Sequence, residues 1–165
     1  MTTKEPLIKS HMAAVQPWAR NIALLAITLW VGSLWSVGFL AVPVLFHTLP
    51  DKMMAGMLAG KMFTLVAYVG MVSACYLLIY LAGESGKQAF RQTIFRVAAI
   101  MLLLALVGEF GFQPEIAELK AQALPADVMH SAFADRFQML HRIASSIYLA
   151  QSLLGIVLVI KARRC

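Results

Sequence analysis

Residues Ile22–Phe46 read IALLAITLWVGSLWSVGFLAVPVLF, a run with no charged residue. Coiled at 1.5 Å per residue, such a run exceeds the roughly 30 Å hydrocarbon core of a bilayer. It therefore reads as a membrane-crossing helix, because in lipid each backbone N–H and C=O must find its partner within the segment. A cleaved signal peptide is the rival reading. It fits less well, since the apolar run is longer than a signal's apolar region and lacks a small-residue exit.

Three further stretches have the same character: Met62–Ala82, Val97–Phe112 and Ile143–Ile160. The chain is 61% hydrophobic and 13% charged, against about 25% charged in soluble domains. The expected fold is an all-α membrane protein: an antiparallel four-helix transmembrane bundle with a short helical outer loop. Residues 1–20 and 162–165 read as cytoplasmic tails around a four-span domain over 21–161.

The glycine-bearing turn Gly83–Lys87 predicts a hairpin between the second and third spans. Gln113-Pro114 predicts the end of the third, because proline interrupts the α-helical ladder. Gln113–Arg142 is the longest connection. It contains one short helix from Pro114 to Lys120 and a second helix start at Pro125-Ala126-Asp127, from which the fourth span would extend outward.

With four spans, both tails and the middle loop share a side. That side carries Lys4, Lys9, Arg20, Lys87, Arg91, Arg96, Lys161, Arg163 and Arg164, against Lys52, Lys61, Lys120, Arg136 and Arg142 on the other. The bias predicts a multi-pass protein of the bacterial inner membrane with both termini cytoplasmic. The net charge of +6 is spread over tails and loops. This fits contact with anionic headgroups and excludes a nucleic-acid face, for which no contiguous basic stripe with interleaved aromatics exists. The lipid bilayer is thus the expected partner. Cys75 and Cys165 form no CxxC motif, and Cys75 reads as a small packing residue.

Three ionisable residues stand out at the outer span ends: His47, Glu109 and His141. A carboxylate within an apolar run costs several kcal/mol unless it has a task or a partner. A histidine–carboxylate–histidine set suits Zn²⁺ or Cu²⁺, and serves equally as a hydrogen-bonded latch. Gln113, Ser145 and Tyr148 form the supporting polar face, with Gln113 one helical step of four from Glu109. His130 would lie about 16 Å from His141 along a continuous helix, so it joins the set only if the helix breaks. Met53, Met54, Met57 and Met62 gather on the same side. They are soft donors for Cu(I), or simply gap-fillers.

Small residues at helical spacing, Gly32 and Ser36 on the first span and Gly56 and Gly60 on the second, read as helix-packing contacts. Homo-oligomerisation through the Gly56–Gly60 face is the protein partnership they offer.

Trp30-Val31-Gly32-Ser33-Leu34-Trp35, Pro43-Val44-Leu45-Phe46, Ala59-Gly60-Lys61-Met62-Phe63, Phe112-Gln113-Pro114-Glu115-Ile116 and Leu140-His141-Arg142-Ile143-Ala144-Ser145 resemble, in order and spacing, the bacterial transmembrane-protein-205-like family, a domain of unknown function. The resemblance covers roughly residues 21–160. It implies a four-helix inner-membrane protein and no settled activity. Pro43, Phe46, Pro114, His141 and Ser145 match it, whereas His47 and Glu109 rest on position.

The leading functional expectation is a non-enzymatic scaffold with a small outward-facing polar site for a metal ion or small ligand, a transition metal being the cofactor class. A membrane oxidoreductase holding haem or quinone is the enzymatic alternative. Haem is disfavoured, because no two histidines sit mid-span on facing helices and no CxxCH is present. A purely structural assembly factor is the third reading.

Overall fold

The computed structural model describes residues 17–124 and 128–162. Four helices are long and apolar enough to cross a membrane: Pro17–Thr48, Lys52–Arg91, Thr93–Ala123 and Ala134–Ala162. They are called here the first to fourth helices. Each extends beyond its apolar run, because a helix started in lipid continues until the backbone meets a specific stop.

Those stops have local causes. Leu49 precedes Pro50 and is extended (φ −82°, ψ 127°), as the ring of a following proline demands. Asp51 then caps the second helix, its carboxylate accepting from the amides of Met53 (2.8 Å) and Met54 (3.2 Å), two donors that would otherwise lack partners. The second helix therefore begins ten residues' worth of sequence earlier than its apolar run, at Lys52 rather than near Met62. The α-helical ladder ends at Gly86, whose φ of 53° needs a residue without Cβ. A 3₁₀ turn over Gly86–Arg91 follows, with Ala89 buried and Phe90 packed edge-on to Phe95 at 4.8 Å. Gly83 itself remains helical.

The third helix does not end at Gln113-Pro114. It passes through a π-helical turn at Val107–Phe112 and continues as an α-helix over Gln113–Ala123. The first helix does the same, with a π turn at Ser36–Ala41 before Val42–Thr48. In each case a proline lies two residues beyond the π turn, Pro43 and Pro114. A proline in an α-helix lacks one donor, and its ring strikes the carbonyl four residues back. Widening the preceding turn changes that register, so Val42 donates to Val37 and Gln113 to Gly108, five residues back.

The expected helix start at Pro125-Ala126-Asp127 lies outside the described residues. Beyond it the chain forms a 3₁₀ turn over Val128–His130, and the fourth helix starts at Ala134. The helix is thus broken between His130 and His141.

The main core joins all four helices through Trp30, Val31, Leu34, Leu77, Leu81, Met101 and Leu158, with Ala74 and Ala98 fully buried. Close approach replaces hydrophobic transfer as the cohesive force in lipid. A Cβ on Gly70 would overlap the Trp30 indole, and one on Gly155 would sit 3.1 Å from a Val31 methyl. Ile116, Leu119, Ala123, Val128 and Leu140 form a second cluster.

The small residues singled out by spacing differ in what surrounds them. A Cβ at Gly32 or Gly60 would meet nothing within 4 Å, and Ser36 is exposed. At the start of the second helix Ala55 and Ala59 are buried, one position before Gly56 and Gly60; a Cβ on Gly56 would still meet Phe46 at 3.9 Å.

Candidate functional site

Past Leu34 the first helix has no buried residue in its π turn or in Val42–Thr48, and the π turn of the third helix has none either. Side-chain packing gives way there to polar hooks on backbone. Tyr148, from the fourth helix, donates its hydroxyl to the carbonyl of Leu34, just before the π turn. A side chain that engages a helix backbone in this way is one of the known causes of helix deformation. A Cβ on Gly38 would overlap the Tyr148 ring, so this close approach needs glycine. Phe63 supports the ring edge-on at 5.0 Å.

Two further hooks come from the third helix. Gln113 donates to the Gly60 carbonyl (3.3 Å) and to the Thr64 hydroxyl (3.4 Å). Lys120 donates to the Gly56 carbonyl at 3.1 Å. The Lys120 ammonium also lies 5.7 Å from the centroid of Phe137, within cation–π range. Phe137 in turn stacks on His141, with centroids 5.7 Å apart and planes 11° from parallel. Phe46 approaches Gly56 from the first helix. Lys120, Phe137, His141, Phe46 and Gly56 thus draw together segments of all four helices.

The residues singled out by sequence occupy different positions in this arrangement. His141 is exposed and forms the outer layer of the stack, while His47 is exposed at the end of the first helix. Glu109 is half-buried in the π turn of the third helix. Among the described residues no three His, Cys, Asp or Glu side chains come together as a set that could hold a metal ion. His47, Glu109 and His141 therefore do not form a three-ligand centre in this structure. Gln113 and Tyr148 are engaged as described, whereas Ser145 is exposed.

Lys120, Phe137, Gly38 and Thr64 carry this region, and sequence reading did not place them in it. The available signal was the spacing of Gln113 and Lys120, two turns apart on one helical face. That signal counts only because the helix continues past Pro114 to Ala123. A groove of about 350 Å³ also runs between the first and fourth helices beside Trp35, whose indole donates to the Ser152 carbonyl at 3.2 Å. Phe39, Leu40, Leu149 and Ile156 line it, with no titratable group.

A family model described as a domain of unknown function (DUF4149) matches residues 25–125. The match takes in the first helix's π turn, the whole second helix and the third helix with Gln113 and Lys120, and stops before the fourth. Its description does not carry the transmembrane-protein-205-like name. No curated protein and no solved structure matches the chain.

Proposed function

The chain belongs to the DUF4149 family, a domain of unknown function, and from that premise we propose a non-enzymatic, multi-pass scaffold of the bacterial inner membrane with a small polar site at its outward-facing end. The single observation that carries this is the convergence at Gly56: Lys120 bound to its carbonyl, Phe137 beneath the ammonium, and His141 exposed on the far face of the ring.

The arrangement is that of an antiparallel four-helix bundle with residues 21–161 as its domain. Support comes from the order of contacts. Ala19 meets Tyr76 (3.1 Å), Trp30 meets Gly70, and Phe46 meets Gly56, so the second helix runs back along the first. Both termini are cytoplasmic in this reading, as the uneven distribution of basic residues supports. The helical connection after Pro114 then lies outside.

The chemistry of the site suits a small polar ligand better than a metal ion. An exposed imidazole and a lysine held at a helix start offer donors and a stacking face, but not three clustered metal ligands. The test is to purify the protein from cells grown with supplemental Zn²⁺ and Cu²⁺. Bound metals and co-purifying small molecules are then compared by mass spectrometry with those of His141→Ala. A stoichiometric organic ligand lost in the variant is expected. Stoichiometric metal lost in the variant would overturn the ligand class, and neither species in either protein would overturn the site.

A further inference from the structure

Each end of the four helices carries five described cations, and the structure treats the two sets differently. At the end with the candidate site, Lys52 is turned onto the carbonyls of Phe46 and Leu49, and Lys120 onto that of Gly56. Arg136 pairs with Glu115 at 2.7 Å. Asp51, Glu109, Glu115, Glu118 and Asp135 balance Lys52, Lys61, Lys120, Arg136 and Arg142, so five positive charges meet five negative ones and the described net charge is zero.

The opposite end holds Arg20, Lys87, Arg91, Arg96 and Lys161. A small cavity there is lined by Arg20, Ala23, Leu81, Ile94 and Ala162, which brings together the start of the first and third helices and the end of the second and fourth. Glu84 is the single described acid, so five charges less one leave +4. Among the described residues none of these five cations forms an ion pair. Arg20, Lys87, Arg91 and Arg96 are exposed. Exposed aromatics stand among them: Trp18, 56% exposed, beside Arg20, and Phe90, 63% exposed, between Lys87 and Arg91.

We propose that this end binds the phosphate headgroups of anionic phospholipids. The surplus charge lies where apolar helices leave the hydrocarbon, and the aromatics stand at the same level. This is the pairing of basic groups with interfacial rings that holds a protein to an anionic leaflet. Charge complementarity selects the occupant: a zwitterionic headgroup offers no net charge to a +4 surface, whereas each anionic lipid neutralises one cation. Arg91 and Arg96 flank the start of the third helix, and their planar guanidinium groups match phosphate oxygens with two donors each.

The test measures phosphatidylglycerol and phosphatidylcholine binding to the detergent-purified protein by native mass spectrometry. Phosphatidylglycerol should bind more tightly. The Arg91→Gln/Arg96→Gln double variant should lose roughly fivefold in that affinity for each cation removed, with phosphatidylcholine binding unmoved. Lys61→Gln/Arg142→Gln, at the balanced end, should change phosphatidylglycerol binding by less than about twofold. Equal losses from both double variants, or no preference between the lipids, would overturn the proposal. So would displacement of phosphatidylglycerol by inorganic phosphate at an equal concentration, which would assign the surface to free anions. The outcome is independent of any ligand at His141.

Discussion

The half of the molecule around Trp30 holds the main side-chain core, with Tyr76 hooked onto the Ala19 carbonyl, whereas the half beyond Tyr148 has a smaller apolar cluster and relies more on side chains hooked onto backbone. The two share one apolar solvent and solve different problems within it. In the first half the ladders are intact, so cohesion comes from fit: the Trp30 indole rests where Gly70 has no side chain. In the second half two prolines are accommodated by π turns, and the segments there bury no side chain of their own. Polar side chains from neighbouring helices reach onto backbone carbonyls instead, one of them at the first π turn and two on the unbroken second helix. The comparison teaches that hooks gather where side-chain packing thins out, whether or not the accepting helix is itself distorted.

The largest expected effect breaks the packed half. Trp30→Ala removes a side chain 1% exposed and should cost about 3–5 kcal/mol, read as a fall in the unfolding midpoint in detergent. A loss below that of an ordinary surface change would show that the core does not depend on fit.

The next effect probes the hooked half. Gly38→Ala drives a methyl into the Tyr148 ring and should cost about 1–3 kcal/mol. Tyr148→Phe removes only the hydroxyl and should cost about 0.6 kcal/mol, and at most about 1.7, as interhelical hydrogen bonds in membranes do. Combining Gly38→Ala with Tyr148→Ala relieves the overlap, so the pair should cost less than the sum of the two single variants. Additive costs would dissociate Tyr148 from the π turn.

The smallest effect sharpens the contrast between hooks on backbone and pairs at the surface. Arg136 and Glu115 form an ion pair with side chains 62% and 49% exposed. Arg136→Gln should change stability by less than about 0.5 kcal/mol, and a larger change would place this pair among the hooks.

The legible part of the fold was the part that depends on solvent alone. Four apolar runs predicted four long helices, because lipid leaves the backbone no other way to satisfy itself. Sequence and structure part company where a neighbour decides. Pro114 looked like a stop because its missing donor and its ring are local facts, while the π turn that accommodates it is a property of the preceding residues. Gly56 and Gly60 looked like a packing face because their spacing is right. Ala55 and Ala59, one position away, are the more deeply buried pair, and helix spacing cannot choose between adjacent faces when both are small and apolar. His47, Glu109 and His141 share a depth along their helices, and depth leaves rotation about each axis unspecified. The structure shows His141 stacked on Phe137 and linked through it to Lys120, with Glu109 in a π turn.

By itself the amino-acid sequence determined the number of helices, their identity as candidate membrane spans and the excess of basic residues at one set of span ends. Each of these follows from local composition acting against lipid or headgroup. Tertiary structure alone decided which small residues touch, which carbonyls accept a hook, and which cations are satisfied. Those outcomes depend on the rotation and register of one helix against another, set by a few close contacts such as Trp30 on Gly70 and Tyr148 on Gly38.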